Sequence, residues 1–125
     1  APNREASDKP LDPERLAALN RAMRSVPGGL RRVLESFLES LERLPAVIRD
    51  AETNDDSEAI GKAAHALKSN SAAAGALVLS ELCAKLEKAA GEGGRAAMDD
   101  FDTNFYNEID RVKMAVESEL ADIQG

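Results

Sequence analysis

His65 is the only histidine in the chain, and its side chain has the clearest potential for chemistry. An imidazole has a reference pKa of about 6.5, so its neutral, nucleophilic form is abundant near neutral pH and can carry a transferable phosphoryl group. Lys68 at i+3 and Lys62 at i−3 lie within reach on a helix, where an ammonium group would balance a phosphoryl group. The spacing favours a phosphoryl-carrying surface, and the alternative is a set of ordinary solvated side chains.

The helix that contains His65 is predicted to run from about Ser57 to Ala74. At about 100° per residue its apolar stripe lies opposite His65, so the imidazole is expected to face solvent. Mostly small side chains surround the imidazole, which would let another protein reach it. The predicted stripe is Ile60, Ala63, Leu67, Asn70 and Ala74, and the predicted phosphoryl and partner surface is Gly61, Lys62, Lys68, Ser69 and Ala72.

Two helices are predicted before this one from apolar residues at three- and four-residue steps. A short first helix covers residues 13 to about 24, with Asp12 as its N-cap. A long second helix covers residues 30 to about 51 with one apolar stripe in phase throughout. Pro45 lies within it and predicts a kink near residues 41 to 44 rather than a break.

Two more helices are predicted after it. Gly75 separates the His65 helix from a fourth helix that ends at Gly91, and a fifth runs from about Met98 to the C-terminus. Short connections between long amphipathic helices predict an all-α fold, an antiparallel up-down four-helix bundle with an additional short N-terminal helix. Residues 1–10 are expected to be a flexible linker and residues 11–123 the bundle domain. The fourth helix carries its stripe on Leu79, Leu82, Cys83, Leu86 and Ala90.

Composition narrows the function classes. A formal net charge of −7 argues against nucleic acid or an anionic membrane as the main partner. One Cys and one His can form neither an internal disulfide nor a structural zinc site. No apolar run is long enough for a membrane span, and no signal peptide is evident, so a cytoplasmic domain is expected.

The run from His65 to Ser71, His-Ala-Leu-Lys-Ser-Asn-Ser, is followed by Gly75-Ala76, Leu82-Cys83 and Leu86-Glu87. This arrangement resembles the pattern of histidine-phosphotransfer (HPt) domains, His-x-Leu-Lys-Gly with a later Gly-Ala and Leu-Cys-x-x-Leu-Glu. The Leu-Asp-Pro run at residues 11–13 and the Phe37-Leu38 pair with a nearby proline also resemble the N-terminal half of the family. The similarity therefore spans residues 11 to 120.

The resemblance implies a phosphorelay carrier without an ATP site or catalysis of its own. The outer ring nitrogen of His65 would accept a phosphoryl group from the aspartate of a receiver domain and pass it to another receiver, with Lys68 and Ser69 beside it. No cofactor is expected in this domain, because the receiver supplies Mg²⁺ and most catalytic groups. We further expect a monomer, bacterial and cytoplasmic, that forms the C-terminal domain of a hybrid sensor kinase.

Two positions depart from the family pattern. Ser69 stands where the family has Gly, and its hydroxyl could either donate to the phosphoryl group or hinder one class of receiver. Ala73 stands where members often carry Asn. Cys83 is interpreted as a packing residue, Asn70 and Ser71 as structural polar residues, and Gly75 as serving helix-to-helix geometry.

Two other functions compete with the relay. A histidine-kinase dimerisation domain also presents a His on a helix, but it typically has an acid after the His and a Pro soon after, whereas Ala66 follows here and the helix has no Pro. A helical scaffold or adaptor with an unphosphorylated His65 is the remaining alternative. Phosphoryl transfer from a receiver separates the scaffold from the relay, and a monomeric mass separates the relay from the kinase module.

Overall fold

The computed structural model describes residues 9–92 and 102–124, and these residues form five α-helices and no strand. The all-α prediction is therefore confirmed. Two predictions fall outside the described residues: residues 1–8 of the predicted linker, and the predicted start of the last helix near Met98. The helices are α1 (Pro13–Ala22), α2 (Gly29–Thr53), α3 (Ser57–Ala74), α4 (Leu77–Gly91) and α5 (Asp102–Gln124).

Helices α2 to α5 form the predicted four-helix bundle. α3 packs between α2 and α4, and α5 closes the other side by packing against the same two helices. Because only a few residues join α2 to α3 and α3 to α4, these neighbours are antiparallel. The short α1 packs on α2 and α3.

A single apolar core lies between the four long helices. Because leucine, isoleucine, valine and phenylalanine recur at helical spacing, each helix turns one stripe inward and leaves most of its charged residues outside. Burying these side chains stabilises the bundle by roughly 1.5–3 kcal/mol for each large residue. The fully buried large side chains are Phe105, Leu34, Leu41, Ile48, Ile60, Leu67, Leu79, Leu86, Val112 and Val116.

Helix α3 has well-defined ends. The carboxylate of Asp56 accepts a hydrogen bond from the backbone N–H of Ala59 at 3.1 Å, which caps the N-terminus. Gly75 ends the helix in the left-handed conformation, with φ of 87°, and the N–H of Ala76 donates to the carbonyl of Ser71 at 2.8 Å. The predicted span of α3 is thus confirmed at both ends.

Gly75 also fixes the start of α1, in agreement with its predicted role in helix-to-helix geometry. Its carbonyl accepts a hydrogen bond from the N–H of Asp12 at 2.8 Å, and a Cβ added at Gly75 would lie 2.9 Å from the Cβ of Arg15. Asp12 is the N-cap by position, but its side chain makes no capping hydrogen bond, and α1 ends at Ala22, two residues before the predicted end.

Pro45 is buried inside α2, and the helix continues on both sides of it. The predicted absence of a break is therefore confirmed, while the kink stays a prediction. One member of the predicted α3 stripe is wrong: Asn70 is exposed. Asn70 lies at the edge of the stripe, where the facing residue of α2 is the small Ser40, and the Asn70 amide donates to its Oγ at 3.2 Å.

Candidate functional site

His65 lies in the middle of α3 on the surface of the bundle, as the helical wheel predicts. Its side chain is 62% exposed, whereas Ile60, Ala63 and Leu67 on the opposite side of the helix are buried. The apolar stripe of α3 holds the helix against α2 and α4, and this packing directs His65 outward. The ring is accessible to a second protein.

Glu87 of α4 joins His65 and Lys68 into one polar cluster. Its Oε2 lies 2.9 Å from Nδ1 of His65, and its Oε1 accepts a hydrogen bond from Nζ of Lys68 at 2.7 Å. Glu87 and Lys68 are each about one-third exposed. The hydrogen bond from Lys68 is the main reason that the pKa of Glu87 lies below its usual range; partial burial opposes this shift, and the His65 contact reinforces it.

This contact distinguishes the two nitrogens of the His65 ring. A carboxylate can only accept, so the contact forms a hydrogen bond when Nδ1 carries the proton. In the neutral ring that tautomer leaves the lone pair on Nε2, the nitrogen farther from Glu87. The arrangement therefore favours Nε2 as the basic nitrogen of the neutral ring.

A surface hollow of about 540 Å³ adjoins His65 on the side of Gly61. A Cβ added at Gly61 would lie 3.8 Å from the Cβ of Ala90, an ordinary contact, so packing does not require glycine there. Lys62 is exposed at its edge and pairs with Glu58 at 3.2 Å. The hollow is lined by Ser57, Glu58, Gly61, Lys62, His65, Glu87, Ala90 and Gly91.

The remaining predicted surface residues continue along α3. Ser69 is exposed one turn after His65, and Ala72 is half-buried. Ser71 is fully buried, and its hydroxyl has no hydrogen-bond partner in the part of the chain that the structure describes. The structure thus joins His65 and Lys68 through Glu87, and it places Gly61 and Lys62 in the adjoining hollow.

A scan against protein-family models matches the Hpt domain over residues 32–124. The chain belongs to the Hpt domain family. Hpt domains are histidine phosphotransfer carriers of two-component signalling without a kinase site of their own. This membership agrees with the exposed histidine on a helical bundle.

A solved structure supports the fold of this Hpt domain. The crystal structure of histidine-containing phosphotransfer protein B (HptB) from Pseudomonas aeruginosa PAO1 matches with a TM-score of 0.83 and 23% sequence identity. The match covers 91% of this chain and 96% of that chain. A search of the curated proteins found no match. No helix in the described ranges is long and apolar enough to cross a membrane.

Sequence reasoning did not assign Glu87 to the site of this Hpt domain. The Leu86-Glu87 pair belongs to the family resemblance, which was the available signal. Its role depends on contacts with residues 19 and 22 positions earlier, across the α3–α4 interface. Periodicity within α4 cannot show which residue of another helix a side chain meets.

Cys83 is buried in the core of the Hpt domain, as predicted. Burial raises its thiol pKa to about 12, with a smaller opposing effect of Lys68. A protonated, inaccessible thiol is a poor nucleophile, which supports the packing role. Among residues 9–92 and 102–124, no group of three or more His, Cys, Asp or Glu side chains could hold a metal ion.

Proposed function

We propose that this Hpt domain carries a phosphoryl group on Nε2 of His65, between the aspartates of two receiver domains. The observation that carries the proposal is the exposed ring whose Nδ1 contacts Glu87 at 2.9 Å. This contact supports Nε2 as the nucleophile, and the exposure supports access by a phosphorylated aspartate. The likeness to a histidine-containing phosphotransfer protein adds support for the fold on which the site is built.

In the proposed step, Nε2 attacks the phosphorus of an aspartyl phosphate. The N–P bond forms, the bond from phosphorus to the aspartate oxygen breaks, and the aspartate leaves as a carboxylate. The ring keeps its Nδ1 proton and becomes positively charged, so the Glu87 carboxylate stabilises it. The reverse step delivers the phosphoryl group to another receiver and returns the neutral ring.

Lys68 is the proposed counter-charge for the phosphoryl group. Its Nζ is bonded to Glu87 while the histidine is unmodified, at 2.7 Å. Lys68 follows His65 by three positions and can turn toward a phosphoryl group on the same face. Ser69 is a proposed hydrogen-bond donor to that group, whereas Gly61, Lys62 and Ala72 are proposed as partner surface.

The proposed partners are receiver domains, which supply Mg²⁺ and most catalytic groups, and this chain needs no cofactor. We assign the domain to the cytoplasmic part of a bacterial hybrid sensor kinase, at its C-terminal end, and expect it to be a monomer. Since one chain already supplies four bundle helices, it does not need a second copy to bury its core. Size-exclusion chromatography with light scattering tests the oligomeric state.

Transfer of label tests the carrier function. A panel of receiver domains is phosphorylated on aspartate with ³²P, and each is mixed with wild-type protein or His65→Gln. Acid-labile label on the wild-type chain and none on His65→Gln is the expected result. If no receiver in the panel transfers label, the chain is a scaffold and the proposal is wrong. The circular dichroism of both proteins shows that each is folded.

A further inference from the structure

Positive charge is concentrated in one segment of this acidic chain. Residues 13–32 contain five arginines and one acidic residue, Glu14, although the whole chain has a formal net charge of −7. The rest of the molecule is therefore more acidic than the net charge of the whole chain suggests. Such segregation creates a local positive potential on a protein that otherwise repels anions. The five residues, named here the arginine surface, are Arg15, Arg21, Arg24, Arg31 and Arg32.

All five side chains of the arginine surface are exposed. None of them has an ion-pair partner within the described ranges, whereas Arg43 and Lys62 pair with glutamates on their own helices. A guanidinium group without an internal partner keeps its charge and its five N–H donors for another molecule. The arginine surface is thus available for a partner that carries carboxylates.

The arginine surface lies within the reach of a protein that docks at His65. Asp12, which precedes α1, is hydrogen-bonded to Gly75 at the end of α3, and Gly75 is about 15 Å along the helix axis from His65. A typical protein interface buries about 800 Å² on each partner, a circular patch roughly 32 Å across that reaches about 16 Å from its centre. A partner centred on His65 would therefore extend to this end of the bundle.

A groove between α2 and α3 lies beside the arginine surface. It has a volume of about 270 Å³, and its apolar part comes from Val33 and Phe37 of α2 and Ala73 of α3. Arg32 and Asn70 also line it. Ala73 is exposed and lies about 80° from His65 around α3, so the groove borders the helix face that presents His65.

We propose that the arginine surface and this groove bind an acidic face of the partner receiver domain and accelerate its docking on His65. The proposal rests on the proposed function, because the occupant is the receiver that exchanges the phosphoryl group. Its carboxylates would meet the arginines, and one of its apolar side chains would enter the groove. Exposed charges of this kind act mainly on the association rate and are screened by salt.

The test is a charge reversal at the first turn of α2. Arg31→Glu/Arg32→Glu is compared with Lys85→Glu/Lys113→Glu, which changes the net charge equally on α4 and α5. The second-order rate constant of phosphoryl transfer from a ³²P-labelled receiver is measured for each at about 0.02 M and about 0.5 M salt. Thermal unfolding by circular dichroism verifies that both variants are folded.

We expect the arginine variant to transfer about tenfold more slowly than wild type at low salt, with most of the difference lost at high salt. The lysine variant should stay within about twofold of wild type. Equal transfer rates for the two variants would contradict the proposed role of the arginine surface, while the phosphorelay function would still stand. If no receiver transfers label even to wild type, the proposed function fails and this proposal with it.

A membrane surface is the other anionic partner that the test must separate. Vesicles of phosphatidylserine and phosphatidylcholine are sedimented with wild-type protein and with Arg31→Glu/Arg32→Glu. We expect neither protein to bind. Binding by wild type alone, together with unchanged transfer rates in the variant, would assign the arginine surface to lipid and contradict the proposal.

Discussion

Oε2 of Glu87 lies 2.9 Å from Nδ1 of His65, across the interface between α4 and α3. The same carboxylate accepts from Lys68 through its other oxygen at 2.7 Å. One acidic side chain therefore contacts both the proposed nucleophile and the proposed counter-charge. The two hydrogen bonds make Glu87 the centre of the site, although it is not the residue proposed to be modified.

Replacing Glu87 with Gln should slow phosphoryl transfer without unfolding the domain. A Gln amide can donate to Nδ1 as well as accept from it, so the preference for a proton on Nδ1 weakens and fewer rings present a lone pair on Nε2. A hydrogen bond to a charged group contributes about 1.5 kcal/mol, so losing its stabilisation of the charged ring should slow transfer by about tenfold. The transfer rate from a phosphorylated receiver and the ¹⁵N chemical shifts of the ring measure the two effects.

Glu58→Gln is the matched control for that substitution, because it removes the same charge from an exposed carboxylate that pairs with Lys62 rather than with His65. It should retain the wild-type rate and tautomer. If Glu87→Gln behaves like Glu58→Gln in both measurements, Glu87 does not position the ring.

The Glu87 cluster should also make stability depend on pH in the acidic range. The folded-state pKa of Glu87 lies below its ordinary value of 4.5, so its contribution to stability is present above about pH 4.5 and is lost as pH falls through the folded-state value. Urea unfolding of wild type and Glu87→Gln should therefore give curves that converge as pH is lowered below 4.5. A stability difference that stays constant down to acid unfolding would contradict this assignment.

Glu108 of α5 should show the opposite dependence. It is 5% exposed, and its Oε2 has no hydrogen-bond partner in the described part of the chain, while its Oε1 accepts from Arg111 at 2.7 Å. Burial raises its pKa above 4.5, against the effect of Arg111. Its ionisation therefore costs stability, which falls as pH rises from about 4.5 through the folded-state value.

Glu108→Gln is accordingly expected to raise the free energy of unfolding at pH 7 by up to about 1 kcal/mol, because a neutral amide is less costly to bury. The gain should disappear in acid, where Glu108 is protonated in both the folded and unfolded chains. Denaturant unfolding at several pH values measures it. A loss of stability at pH 7 would mean that the contact with Arg111 outweighs the burial of charge.

Gly75→Ala should destabilise the domain by about 2 kcal/mol or more. The residue has φ of 87°, which an L side chain rarely adopts, and its new Cβ would lie 2.9 Å from the Cβ of Arg15. Gly61→Ala is the contrasting variant, because its Cβ meets only an ordinary contact at 3.8 Å within a helix. It should gain about 0.5–1 kcal/mol from helix propensity. Thermal unfolding of both proteins checks the difference, and equal midpoints would contradict it.

Much of the helical framework could be predicted from local patterns. The exposed position of His65 and both ends of α3 depend on residues within one or two turns of each other, and the 3.6-residue period relates them without knowledge of the rest of the fold. The end of α1 was predicted two residues too late, because α1 has no buried residue that marks where the helix stops packing. Asn70 was misplaced because an edge position is covered or exposed according to the size of the facing side chains.

By itself, then, the sequence determined the all-α class, the His65 helix, the outward direction of the imidazole and the lysine at i+3, since each follows from spacing along one helix. Tertiary structure alone decided that Glu87 would contact both His65 and Lys68, and that Arg15 would pack against Gly75. These contacts join residues on different helices. They depend on how the helices are rotated and displaced relative to one another, which only the packing of the whole core sets.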